Sequence, residues 1–315
     1  MKRTLAALSL STAILPAAAL AQEQLSVVAT TGMIADAARV VGGDLVDVQA
    51  LMGPGVDPHA YRQTRSDIVA TARADVVLWH GLYLEAQMED FLQELSETNT
   101  VVAVAEALDP DTLIGSEDYA DQFDPHVWMD PDLWAGVVQQ VSVTLSEVHP
   151  DAADQFAANA SAYADQIAAL ASYSEQVLMT VPEEARVLVT AHDAFNYFGA
   201  AYGFDVVGIQ GISTESEAGL QRIGALVDLL VERDIGAVFV ESSVSDRNIR
   251  ALIEGAAAQG HEVIIGGELF SDAMGPDGSY EGTWIGMIDH NVTTIARALG
   301  GEVPEAGMQG ALALN

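Results

Sequence analysis

The chain has 315 residues, half of them hydrophobic, no cysteine and a formal charge of -34 at pH 7. The missing cysteine excludes disulfides, thiolate metal ligands, thiol nucleophiles and an acylated cysteine within this sequence. Such acidity makes nucleic acid and anionic lipid poor partners, whereas a cation is drawn in because a negative field raises its local concentration.

Met1-Lys2-Arg3 is basic, an apolar run follows over 5–18, and Ala19-Leu20-Ala21 supplies small residues at the spacing of a signal-peptidase site. This predicts a secretory signal peptide over 1–21, cleaved before Gln22, and a periplasmic protein. The apolar run is short for the roughly 20 residues of a membrane span, and no second stretch approaches that length. We therefore expect no direct membrane insertion and a monomer. Removing two cations leaves 294 residues at -36, more chain than one hydrophobic core usually holds, so two lobes are expected.

Apolar runs rich in β-branched residues recur at 25–29, 46–51, 75–79 and 101–104, then at 186–190, 206–209, 237–240 and 262–265. Amphipathic helical segments separate them. Near-continuous apolar strands between helices read as buried parallel sheets, so the fold class is α/β. Between the halves, 151–180 is Ala-rich and free of glycine and proline, opened by His149-Pro150 and closed by Val181-Pro182. That pattern predicts one helix of about 30 residues, roughly 45 Å long. The expected organisation is an N-terminal lobe over 22–148, a linking helix within 149–182 and a C-terminal lobe over 183–315. A stiff link of this kind opposes large hinge motion.

The segment 109–124 carries Asp109, Asp111, Glu117, Asp118, Asp121 and Asp124 with little apolar periodicity, and reads as a solvated loop. Three of seven histidines have unusual settings. Asp57-Pro58-His59 and Asp124-Pro125-His126 are the same triplet, each followed within two positions by an aromatic residue, Tyr61 or Trp128. Proline fixes its own φ and biases its predecessor toward extended backbone, which places the following histidine. His192 follows the run 186–190, at the carboxyl end of a strand, where ligands gather in open α/β sheets. Asp272 lies after the run 262–265. Three imidazoles and one carboxylate, two from each half, would set a cation between the lobes. His80, closing the run 75–79, reads as structural, as do His149, His261 and His290. No phosphate-loop or H-E-x-x-H pattern is present.

The segments Thr31-Gly32-Met33, Asp57-Pro58-His59-Ala60-Tyr61, Asp124-Pro125-His126-Val127-Trp128-Met129-Asp130-Pro131, Thr190-Ala191-His192-Asp193-Ala194-Phe195 and Glu281-Gly282-Thr283 with His290-Asn291 resemble the zinc and manganese solute-binding proteins of ABC importers. The resemblance spans essentially the whole chain after 21, with the motifs in order. It implies two α/β lobes joined by a long helix, one Zn2+ or, alternatively, Mn2+ or iron per chain, and ligands at His59, His126, His192 and Asp272. Its partners would be an inner-membrane ABC permease and, where one serves the system, a metallochaperone. Two departures bear on the metal. The acidic loop 109–124 lacks the histidines that many zinc-specific members carry there, and His192 stands where manganese-selective members often have glutamate.

A zinc hydrolase would need three protein ligands and an open water position, and four ligands leave zinc closed. A chelate-binding protein of the same fold would show an aromatic or basic cleft instead of convergent histidines. We therefore expect a binding protein and no catalysis.

Overall fold

The computed structural model describes residues 24–116, 119, 121–216 and 218–313. The expected signal peptide lies outside the described residues. From the N-terminus the elements are β1 (Leu25–Ala29), α1 (Gly32–Gly42), β2 (Val46–Ala50), α2 (Arg65–Arg73), β3 (Val76–Trp79), α3 (Glu89–Ser96) and β4 (Val101–Ala103). The four strands form one parallel sheet in the order β2-β1-β3-β4. Parallel neighbours need crossovers, and the three helices supply them. Caps fix where these helices start. Thr31 accepts from the Ile34 amide to open α1, and Thr64 and Asp67 form a reciprocal capping box on α2.

Next come α4 (Pro131–Val148), capped by Asp130 with Pro131 in its first turn, and α5 (Ala153–Leu178). The helix expected over 151–180 is thus 26 residues long, about 39 Å. Pro150 initiates a separate 3-10 turn, Pro150–Ala152, and α5 begins only after it. The C-terminal lobe follows with β5 (Val187–Thr190), α6 (Asn196–Tyr202), β6 (Asp205–Gly208), α7 (Leu220–Glu232), β7 (Ala237–Glu241), α8 (Arg247–Ala258), β8 (Ile264–Leu269) and α9 (Trp284–Ala298). Its strands pair in parallel as β5–β6 and β7–β8, with β5 beside β7. The fold is α/β with two lobes of parallel strands joined by a long helix.

Two expectations need correction. The last strand does not stop at 265 but continues to Leu269. Gly266 and Gly267, just past the expected end, serve close packing. A Cβ on Gly267 would lie 2.4 Å from Thr294 Cγ2, and one on Gly266 would lie 2.8 Å from the Ala298 Cβ, both on α9. The segment 109–124 is likewise not solvated throughout. It holds a 3-10 turn, Pro110–Thr112, and an antiparallel bridge between Gly115 and Phe123, and Asp124 is fully buried.

The largest apolar core belongs to neither lobe alone. Met33 and Ile34 of α1, Trp134 of α4, Phe156 and Leu170 of α5 and Met287 and Val292 of α9 are all buried in one cluster. Smaller cores lie around Val28, Trp79 and Leu92 on the N-terminal side and around Val238, Leu226 and Ile249 on the C-terminal side. Burying one such side chain is worth about 1.5–3 kcal/mol. A swing of one lobe against the other would expose several of them together, so the shared core resists it.

Candidate metal centre

His59, His126, His192 and Asp272 converge where the two lobes meet, each with one donor atom within 4.8 Å of the others. All four are at most 3% exposed. His59 and His126 come from the loops after β2 and before α4, whereas His192 and Asp272 follow β5 and β8.

The repeated triplet has one local geometry. Asp57 Oδ1 accepts from the His59 amide at 2.9 Å, and Asp124 Oδ1 accepts from the His126 amide at the same distance. In both, the aspartate two residues upstream folds the loop back on itself, with proline between. The remaining oxygens reach the other lobe. Thr214 donates to Asp57 Oδ2 at 2.5 Å, and Asn196 donates to Asp124 Oδ2 at 3.0 Å.

Two of the imidazoles rest on carboxylates. His126 Nδ1 donates to Asp124 Oδ1 at 2.7 Å. His192 Nδ1 donates to Glu241 Oε2 at 2.5 Å, while the His192 amide donates to Oε1 of the same residue at 2.9 Å. These bonds fix Nδ1 as the outward donor, turn the rings and leave the Nε2 atoms facing inward.

The inward atoms are spaced like the corners of a coordination polyhedron. His126 Nε2 lies 3.3 Å from His59 Nε2 and 3.4 Å from His192 Nε2. Asp272 Oδ1 is 3.4 Å from His126 Nε2, and Oδ2 is 3.2 Å from His192 Nε2 and 4.0 Å from His59 Nε2. A tetrahedron with bonds of roughly 2.0–2.1 Å has edges of about 3.3–3.4 Å. Both Asp272 oxygens are buried and face only the imidazole nitrogens of the site, a buried carboxylate that needs a cation opposite it. The donor set therefore fits a divalent ion. Three neutral imidazoles and one carboxylate leave one positive charge around such an ion, and buried Asp124 and Glu241 lie behind to offset it.

Without the ion, the same carboxylates govern the protons. Burial opposes the charged form of His126, but Asp124 and Asp272 outweigh it and raise its pKa to about 9. His192 is likewise driven down by burial yet held well above the ordinary imidazole value by Asp272 and Glu241. Burial dominates at His59, which falls to about 3. Burial would raise Asp272, but the neighbouring imidazoles, His192 first, hold it well below the usual carboxylate range.

The other histidines stand apart from this cluster. His80 is buried, and its Nε2 donates to the Pro125 carbonyl at 2.7 Å, pinning the loop that carries His126. His261 bonds the Ile235 carbonyl and His290 the Glu268 carbonyl. His149 packs edge-on against Phe156. Sequence reasoning missed Glu241, whose signal was an acidic residue closing the apolar run 237–240. It also left Asp124 in a solvated loop, although the triplet shared with Asp57 marked it.

The model of the family described as zinc-uptake complex component A, periplasmic, matches residues 27–298. The chain is 50% identical over 279 residues to the manganese-binding lipoprotein MntA of Bacillus subtilis, covering 89% of this chain and 91% of that protein. It is 44% identical over 273 residues to the zinc-binding protein TroA of Treponema pallidum, covering 87% of this chain and 88% of that one. The solved structure of the periplasmic zinc-binding protein TroA superimposes with a TM-score of 0.85 at 43% identity, over 88% of this chain and 99% of that one. With the fold, the convergent donors and these matches in agreement, the chain belongs to the family of the periplasmic zinc-uptake component A, the metal-binding solute-binding proteins of ABC metal importers.

Proposed function

We propose that this protein captures one divalent transition metal ion per chain in the periplasm, zinc in preference to manganese, and delivers it to the permease of an ABC importer. His59, His126, His192 and Asp272 are the ligands in this reading, and 22–148 and 183–315 are the lobes that contribute two each. The observation that carries it is the buried polyhedron of donors, with edges of 3.2–4.0 Å and both carboxylate oxygens turned toward the imidazoles. An imidazole-rich set suits zinc, and zinc stands well above manganese in affinity at a given nitrogen and oxygen site. Four protein donors leave tetrahedral zinc no open position for an activated water, so the role is binding, as in a transporter component.

A manganese reading has its own support. Both Asp272 oxygens face imidazole nitrogens, so the carboxylate is placed to add a second oxygen, and MntA, at 50% identity, is a manganese-binding protein. Elemental analysis of natively purified protein, followed by competition against a chelator of known affinity, separates the two. Zinc is expected to bind at least an order of magnitude more tightly, and equal or tighter manganese binding would overturn the preference. No described helix is long and apolar enough to cross a membrane. The periplasmic setting rests on the family and on the basic and apolar segment of 1–21.

A further inference from the structure

We propose that Trp128 is a positioning residue that sets the Asp272 carboxylate against the three imidazoles and thereby controls the balance between zinc and manganese. The inference rests on the ligand set proposed above. Trp128 lies two residues after His126, and its ring stands edge-on to the His126 and His80 rings at 5.2 and 5.1 Å. Its indole N–H crosses the lobe interface and donates to the Ser271 carbonyl at 2.8 Å, one residue before Asp272. One ligand loop therefore holds the other.

The hold is braced from behind. Trp284, the first residue of α9, donates its indole N–H to the Trp128 carbonyl at 3.0 Å and stacks on Trp134 at 5.8 Å. The Trp284 amide donates to Asp36 Oδ2 at 3.0 Å, and Asp36 also accepts from Tyr163 of α5. On the other side of the Asp272 loop, the Asn291 side chain closes a two-way bond with the Phe270 backbone, at 2.9 and 2.7 Å. Residues 270 and 271 are thus clamped from α9 and from Trp128, while nothing but the site itself engages the Asp272 oxygens.

This arrangement matters unequally for the two metals. Four-coordinate zinc needs one Asp272 oxygen, whereas manganese favours further oxygen donors and so draws on both. Both oxygens meet the site only while the carboxylate keeps its present tilt, Oδ1 toward His126 and Oδ2 toward His192. Releasing the Ser271 carbonyl frees that tilt, and manganese loses more than zinc.

The test is Trp128→Phe in the full chain, which keeps a ring and deletes the N–H. Zinc and manganese affinities are measured by chelator competition, together with thermal unfolding and the visible spectrum of the cobalt-loaded protein. The expected result is a manganese loss at least tenfold greater than the zinc loss, with an altered cobalt spectrum. Equal losses for both metals, or unchanged affinities, would overturn the proposal. Should Trp128→Phe fail to fold, Asn291→Ser releases the other clamp and is expected to shift the ratio in the same direction, and an unshifted ratio there would count equally against it. Asp272→Ala separates this inference from its foundation, since a variant that kept full metal affinity would refute the ligand set itself.

Discussion

Glu241 offers the sharpest perturbation of the site, because it touches no donor atom on the metal side yet grips His192 twice. Its Oε2 accepts from His192 Nδ1 at 2.5 Å and its Oε1 from the His192 amide at 2.9 Å, and it is 4% exposed. Glu241→Gln keeps the shape and removes the charge, and it sets an amide NH2, which cannot accept, opposite one of the two His192 donors. Loss of a carboxylate behind a metal-bound histidine typically costs 10–100-fold in affinity, about 1.4–2.7 kcal/mol. With two buried donors now facing each other, the upper half of that range is expected, alongside about 1–3 kcal/mol of metal-free stability.

The loss should also depend on pH, with a defined sign. Glu241 helps hold His192 protonated in the metal-free fold, and that proton must leave before the metal binds. Removing the carboxylate lowers the proton's grip, so wild type and variant should differ less at pH 6 than at pH 8. Competition with a fluorescent chelator across that range reads both effects. A variant within twofold of wild type at pH 7.5 would refute the reasoning.

Four further outcomes are expected. His126→Ala and Asp272→Ala should each weaken binding sharply while leaving the fold intact by circular dichroism, and unchanged stoichiometry and affinity would remove that residue from the site. Wild-type affinity should go on rising as pH increases from 7 toward 9, because His126 keeps its proton up to about 9 in the metal-free fold. Free imidazole would level off above about 6.5, so a plateau between pH 7 and 9 in a chelator titration would contradict this. Solution scattering should show little change in overall dimensions between metal-free and loaded protein, since one apolar core spans both lobes, and a large change would defeat it. Asn196→Ala removes a donor to Asp124 Oδ2 and should cost less than Glu241→Gln, because the amide and Nδ1 of His126 still hold that carboxylate by its other oxygen.

Much of the fold was legible because it follows local rules. The run 237–240 is apolar on both faces, as a strand covered on both sides must be, and β7 lies there. The linking helix was legible from its alanines, and its true start was blurred by Pro150, which suits a 3-10 turn as well as an α-helical first turn. The end of β8 was hidden for a different reason. Gly266 and Gly267 look like punctuation until Thr294 and Ala298 of α9 come within contact distance, and that contact is long-range.

The site divides along the same line. The three histidine ligands were visible because each sits beside its own local device, a Pro-fixed loop for His59 and His126 or a strand end for His192. What was not visible is the charge that makes the imidazoles work. Glu241 lies 49 residues from His192 and Trp128 lies 143 from Ser271, and no spacing rule links such pairs. Only the side-by-side placement of β5 and β7 brings Glu241 under His192. The two carboxylates behind the rings raise the basicity of the donors and, by the same field, strengthen the protons that compete with the metal. Affinity at neutral pH is the difference between those two effects, so it belongs to the packed lobes together and to no motif taken alone.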